Sequence, residues 1–110
     1  MKKIITVIIL DIDNFKKFCT EGKILWTSHG LARLQERDIS VDDVKNCIMN
    51  GEIIEEYPED FPNPSALIFG KTLQEKIIHV VCGIDESFLY LITAYIPTTE
   101  KFFEDLKTRR

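Results

Sequence analysis

The apolar pattern of this chain changes period once, at Asn50-Gly51, and that change narrows the fold more than any other feature. Before it, apolar residues recur at helical offsets. After it, they gather in short runs with the composition of strands. Helices followed by strands in one short chain predict an α+β domain. The expected architecture has N-terminal helices packed on a four-stranded, mainly antiparallel sheet, followed by a C-terminal helix. With 110 residues, 45% of them hydrophobic, the chain can build one core and is read as a single domain over residues 1–110.

The first segment places Ile4, Ile5, Ile8, Ile9, Ile12, Phe15, Phe18 and Cys19 at helical offsets, with Gly22 as a stop. The density of isoleucine and valine over residues 3–10 also fits a strand, and helix is the preferred reading. Lys2 and Lys3 followed by an apolar run imitate a signal peptide, but Asp11 and Asp13 interrupt it and no small-residue cleavage site follows. The run falls well short of the roughly 20 apolar residues that span a bilayer, so it is read as part of the fold, with no membrane contact. Thr27 or Ser28 caps a second helix that runs to about Arg37, and Ser40 caps a third that ends at Asn50-Gly51. Strands are expected over residues 52–57, 65–69, 76–82 and 88–95, and the three prolines within residues 58–64 make that stretch a loop. Asp85-Glu86-Ser87 is expected to form a tight hairpin, which places His79 opposite Thr93 and Ile77 opposite Tyr95. Pro97 is expected to open a terminal helix through about Lys107 that buries Phe102, Phe103 and Leu106.

Cys19, Cys47 and Cys82 are odd in number, far apart and set among apolar neighbours. They read as reduced, buried thiols of a cytoplasmic protein. Two histidines and three scattered cysteines offer no recognisable metal cage, and there is no phosphate-binding glycine loop, so neither metal nor cofactor is expected.

Fourteen basic against eighteen acidic residues give a net charge of −4, which does not favour a nucleic-acid partner. The charges are segregated, however. Acids cluster at Glu52, Glu55, Glu56, Glu59, Asp60, Asp85 and Glu86, and bases at Arg33, Arg37, Lys107, Arg109 and Arg110.

On a wheel of the second helix, His29, Arg33, Glu36 and Arg37 share an arc of roughly 100°, with Leu31 and Leu34 opposite. Two guanidiniums one turn apart repel unless Glu36 or an outside anion lies between them, and a phosphate would suit. The plainer reading is a solvated face carrying an Arg33–Glu36 pair. His79 interrupts an apolar strand and reads either as a hydrogen-bonded core residue or as a site residue sharing a face with Thr93 and Tyr95.

The stretch Thr27-Ser28-His29-Gly30-Leu31-Ala32-Arg33-Leu34-Gln35-Glu36-Arg37-Asp38-Ile39-Ser40 resembles the T-x-H-A-x-x-R-x-x-E-R-x-I-S opening of a bacterial family called domain of unknown function 4258. Gly51-Glu52-Ile53-Ile54-Glu55-Glu56-Tyr57-Pro58 resembles that family's G-E-I-I-E-x-Y-P. Pro64 to Gly70, His79-Val80-Val81 and Ile92 to Pro97 follow in the expected order, so the likeness covers about residues 27–97. Gly30 stands where the family usually has alanine, the loop over residues 71–75 lacks the usual glycine and proline, and Phe102 or Phe103 stands where tryptophan is common. The resemblance implies a domain similar to RelE-like and barnase-like ribonucleases, acting as the toxin partner of a small zinc-finger antitoxin. Such an enzyme cleaves RNA without metal, using a base for the 2′-hydroxyl, an acid for the leaving oxygen and cations on the phosphorane oxygens. His79 and His29 are then the acid–base candidates, Tyr95 a donor or orienting group, Arg33 and Arg37 the phosphate clamp, and Glu36 and Thr93 supporting residues. The alternative is a non-catalytic partner-binding or adaptor domain.

Overall fold

The computed structural model describes residues 9–110. The first segment, expected as a helix from Ile4 onward or as a strand over residues 3–10, lies outside them up to residue 8. Residues 9–11 are neither helix nor strand, and the helix begins only at Ile12, where Asp11 caps it. The chain then runs through α1 (Ile12–Thr20), β1 (Ile24–Leu25), α2 (Ser28–Glu36), α3 (Val41–Asn50), β2 (Glu52–Tyr57), β3 (Ser65–Lys71), β4 (Ile77–Ile84) and β5 (Leu89–Tyr95). Each helix starts where a short polar side chain can satisfy a free backbone N–H. Asp11 accepts from the Asp13 amide at 3.0 Å, and Thr27 Oγ1 from the Gly30 amide at 2.9 Å. Ser40 and Asp43 cap each other reciprocally, with both bonds at 2.9 Å.

Among the described residues the sheet has five strands in the order β1-β5-β4-β3-β2. Four of them form an antiparallel meander, and β1 adds a parallel edge to β5. The expected four-stranded sheet therefore gains a fifth strand. With only two residues, β1 carries no alternation to read, and its pairing joins segments far apart in sequence. A short edge strand also leaves little unpaired backbone exposed.

The three helices cover one face of the sheet. Phe15, Leu34, Val44, Cys47 and Ile48 pack on Ala66, Ile68, Ile78, Val80, Cys82 and Leu91 in a continuous core. Close packing of α3 on β3 requires Gly70, where a Cβ would lie 2.6 Å from Cys47 Sγ and 2.7 Å from the Cys47 carbonyl oxygen. Gly30 is likewise buried, on the side of α2 that faces Leu91.

All three cysteines lie free in this core. Burial pushes the Cys47 thiol up to about 12 and raises Cys19 and Cys82 as well, so none is a ready nucleophile at neutral pH. A thiol reagent is expected to label three cysteines in denaturant and to react slowly with native protein. Fewer than three labels in denaturant, or fast labelling of native protein, would contradict this packing.

The C-terminal helix is absent. Residues 97–110 instead form turns and a narrow loop in which Phe102 bridges to Arg109. The spacing of Phe102, Phe103 and Leu106 suits a helix, but the Asp105 carboxylate captures the Lys107 and Thr108 amides at 2.9 Å each and the Thr108 hydroxyl at 2.6 Å. Leu106 takes φ +58° at the loop's tip, a conformation that ends any helix. Only Phe102 is fully buried, whereas Phe103 stays exposed and Leu106 is partly covered.

This loop lies on the outer face of the sheet, opposite the helices. The hairpin register there differs from the expected one. Ile84 pairs with Leu89 across a four-residue connection, and a bulge at Ile92 shifts the ladder by one more residue. His79 therefore faces Tyr95 and Val81 faces Thr93. Two one-residue shifts add to two, which restores the side-chain parity, and His79, Thr93 and Tyr95 keep a common face.

Candidate active site

The outer face carries a layer of aromatic and polar side chains at the end of the sheet where β5 finishes. His79 sits at its centre and has no exposed surface. Its ring meets Phe102 edge-on at 4.7 Å and Tyr95 edge-on at 5.3 Å. Nε2 lies 2.6 Å from the Leu106 carbonyl oxygen and Nδ1 lies 3.2 Å from the Tyr95 hydroxyl. A carbonyl can only accept, so Nε2 carries the hydrogen. Burial lowers the pKa of His79, against the pull of the Leu106 bond, and the ring is neutral at pH 7. Nδ1 is then an acceptor, and the Tyr95 hydroxyl donates its proton to it. Burial also raises the Tyr95 pKa, which keeps that hydroxyl protonated.

In front of Tyr95 opens a cleft of about 450 Å³ lined by Arg37, Thr93, Tyr95, Lys101, Phe102 and Arg109, among others. Arg37 lies just past the end of α2, where its half-buried guanidinium donates to the Thr93 hydroxyl at 3.0 Å and to the Ala94 carbonyl at 2.7 Å through the same nitrogen. Arg109 enters from the C-terminal loop and forms a two-pronged pair with Glu55, both bonds at 3.0 Å. That pair holds the Glu55 carboxyl below its ordinary pKa and raises Arg109 further. Lys107 adds a second tether, 2.8 Å from Glu52 and 4.7 Å from the Phe69 ring centre. The loop that seals His79 is thus fastened to β2 by two ion pairs.

Three cationic side chains, Arg37, Lys101 and Arg109, line this cleft beside the Thr93 and Tyr95 hydroxyls and the Phe102 ring, with Arg109 paired to Glu55. Its composition only partly matches the expected site. Arg37, Thr93 and Tyr95 come together in it, with His79 directly behind. His29, Arg33 and Glu36 do not line it: His29 is exposed on α2, and Arg33 pairs loosely with Glu36 at 3.8 Å in solvent. Lys101 and Arg109 replace them. The basic cluster at the end of the sequence was a signal for Arg109, whereas Lys101 lay inside the expected terminal helix and carried none.

Stability should depend on pH in two steps. The unfolded chain binds a proton at His79 near 6.5, whereas the folded chain does so only at lower pH, so stability falls as pH drops below about 6.5. The Glu55 contribution is present above about 4.5 and is lost as pH falls through its lower folded value. Denaturant titrations from pH 8 to 3 should show both steps. His79→Asn should remove the upper one and Glu55→Gln should shrink the lower one, to which Asp43, Asp85 and Asp105 also contribute, and an unchanged profile in either variant would contradict the assignment.

No significant match is found among curated proteins or among solved structures. A family model described as domain of unknown function (DUF4258) matches residues 26–96, spanning α2, α3 and all of β2 to β5. The match takes in Arg37, His79, Thr93 and Tyr95 but stops short of Lys101 and Arg109. The chain belongs to the DUF4258 family.

Proposed function

We propose that this protein is a metal-independent endoribonuclease of the RelE-like toxin type, acting in the cytoplasm and restrained by a small zinc-finger antitoxin. The observation that carries the reading is the cleft itself: in a protein of net charge −4, Arg37, Lys101 and Arg109 converge beside a tyrosine whose proton is already directed at a buried neutral histidine. Positive potential concentrated in a concave site attracts phosphate even on an acidic protein.

The chemistry follows from these positions. An RNA phosphate seats against Arg37 and Arg109. The Tyr95 oxygen takes the 2′-hydroxyl proton as its own proton passes to His79 Nδ1. The resulting imidazolium keeps its Nε2–H on the Leu106 carbonyl, and Glu55 favours that charge while Arg109 opposes it. The 2′-oxygen bonds to phosphorus, the guanidiniums hold the equatorial oxygens, and the 5′-oxygen leaves with a proton from Lys101. The products are a 2′,3′-cyclic phosphate and a 5′-hydroxyl. Cleavage in EDTA that yields these ends supports the reading, and 3′-hydroxyl ends or a metal requirement contradict it.

A second reading, a non-catalytic partner-binding domain, is favoured by the complete burial of His79 beneath Phe102 and Leu106. Under it, RNA neither binds nor breaks, and Tyr95→Phe changes nothing but stability, by about 1 kcal/mol for one lost hydrogen bond.

A further inference from the structure

The outer face is covered unevenly. The loop over residues 97–110 closes the half around His79 and Phe69, where β5 ends. The other half, where β2 and β4 end, is open. There Tyr57, Ser65, Val81 and Ile92 line one hollow, and Phe61, Pro62, Gly83, Tyr90 and Ile92 line a second of about 230 Å³ that shares Asp60 and Ile92 with the first. Together they form a continuous apolar groove. Phe61 stands above it with 91% of its surface exposed, and Ile92 with 45%.

Neither side chain is exposed by local looseness. Ile92 is the extra residue of the β5 bulge, which turns it out over Gly83, its Cδ1 at 3.7 Å from where a Cβ of residue 83 would lie. The loop that carries Phe61 is tied down on both sides, by Ser65 Oγ donating to Asp60 at 2.7 Å and by the Ile84 amide donating to the Pro64 carbonyl at 3.0 Å. An aromatic ring presented on a fixed loop beside a preformed hollow is the form of an interface anchor. The rim is acidic: Glu59 and Asp60 line the hollows, and Asp85 is bonded to Tyr90, which lines the second of them. The Asp85 carboxylate accepts from Tyr90 and from the Ser87 and Phe88 amides, which lower its pKa and fix its charge at the edge of the groove.

The two ends of the sheet thus differ in charge: where β5 ends, Glu52 and Glu55 are paired with Lys107 and Arg109. The cationic cleft lies where β5 ends, and the acidic groove lies where β5 begins. We infer that the groove is a docking site for a basic segment of another protein, which inserts an apolar side chain beside Phe61 and Ile92 and sets lysines or arginines against the acidic rim. Charge complementarity selects this occupant: the same rim repels RNA, and a second copy carries the same net charge of −4. The site does not depend on the ribonuclease reading, since the cleft and the groove share no lining residue.

The test uses the full chain, labelled with ¹⁵N, and three short peptides: one phenylalanine flanked by lysines, the same peptide with glutamates for lysines, and the same with alanine for phenylalanine. The lysine–phenylalanine peptide is expected to bind saturably and to move the amide signals of Asp60, Phe61, Gly83, Tyr90 and Ile92. The other two peptides are expected to bind at least tenfold more weakly. Phe61→Ser, at a side chain too exposed to support the fold, is expected to cut binding at least tenfold while leaving RNA cleavage unchanged. Equal binding of the glutamate peptide, shifts centred on Arg37 and Tyr95, RNA moving the groove signals, or no binding at millimolar peptide each overturns the inference. So does a dimer in sedimentation that Phe61→Ser abolishes, since the occupant is then a second copy.

Discussion

Replacing Arg37 by alanine is expected to slow RNA cleavage by about 10²–10³-fold, the usual cost of losing one preorganised donor to a developing oxyanion. Binding should weaken less, by about tenfold or under, because Lys101 and Arg109 remain in the cleft to hold the ground-state phosphate. The asymmetry follows from how Arg37 is held. One guanidinium nitrogen is fixed by Thr93 and the Ala94 carbonyl, so the group enters the cleft already oriented. Arg37→Lys keeps the charge but cannot reproduce the planar fork, and should recover binding more than turnover. Single-turnover rates and equilibrium binding measured together separate the two effects. Equal losses in both would make Arg37 a simple electrostatic tether. A purely structural role would instead show as a melting-temperature drop with no change in rate at a temperature where the variant stays folded.

His79→Ala is expected to destabilise the fold by about 3 kcal/mol, through an unfilled space under Phe102 and loss of partners for the Tyr95 hydroxyl and the Leu106 carbonyl. The change reaches beyond the ring. Residues 97–110 rest on His79 through Phe102 and Leu106, so the loop carrying Lys101 and Arg109 should loosen with it. A growth or cleavage assay on His79→Ala therefore reads two effects at once. Tyr95→Phe separates them, since it keeps the ring packed and removes only the oxygen that would take the 2′-hydroxyl proton. Denaturant unfolding and hydrogen exchange at Phe102, Phe103 and Leu106 check the first claim. A His79→Ala variant as stable as wild type, with unchanged exchange in the loop, would show that His79 does not support it.

The sequence reading succeeded where local chemistry decides structure. Thr27 and Ser40 start α2 and α3 because their hydroxyls reach a free amide, and that logic needs no tertiary information. The meander of β2 to β5 was readable from runs such as Ile77 to Cys82 between turn residues. The reading failed where partners distant in sequence decide. Ile24 and Leu25 become a strand only because β5 lies beside them. The last fourteen residues have helical apolar spacing, yet Asp105 takes two amides into a side-chain turn and the ion pairs from Lys107 to Glu52 and Arg109 to Glu55 pull the loop across the sheet. The site divides along the same line. The common face of His79, Thr93 and Tyr95 came from strand alternation, which survives a two-residue shift. The polar arc of α2 came from the helical period, but only Arg37 lies far enough along the chain to reach the end of β5, at Thr93 and Ala94. Lys101 and Arg109 enter the cleft through a loop that periodicity could not find. The net charge of −4 says little about local sites, because Arg37, Lys101 and Arg109 gather at the cleft while Glu59 and Asp60 line the hollows at the other end of the sheet.

The cleft is tested most directly by partner-free protein incubated with single-stranded RNA in EDTA, with binding followed across a salt series. Cleavage should appear, leave 2′,3′-cyclic phosphate ends, and fall sharply in Arg37→Ala and Tyr95→Phe. Three phosphate-facing cations predict a slope of log K against log salt of about −2. Protein that stays folded yet neither binds nor cleaves RNA at low salt would contradict the ribonuclease account and leave the domain a partner-binding module.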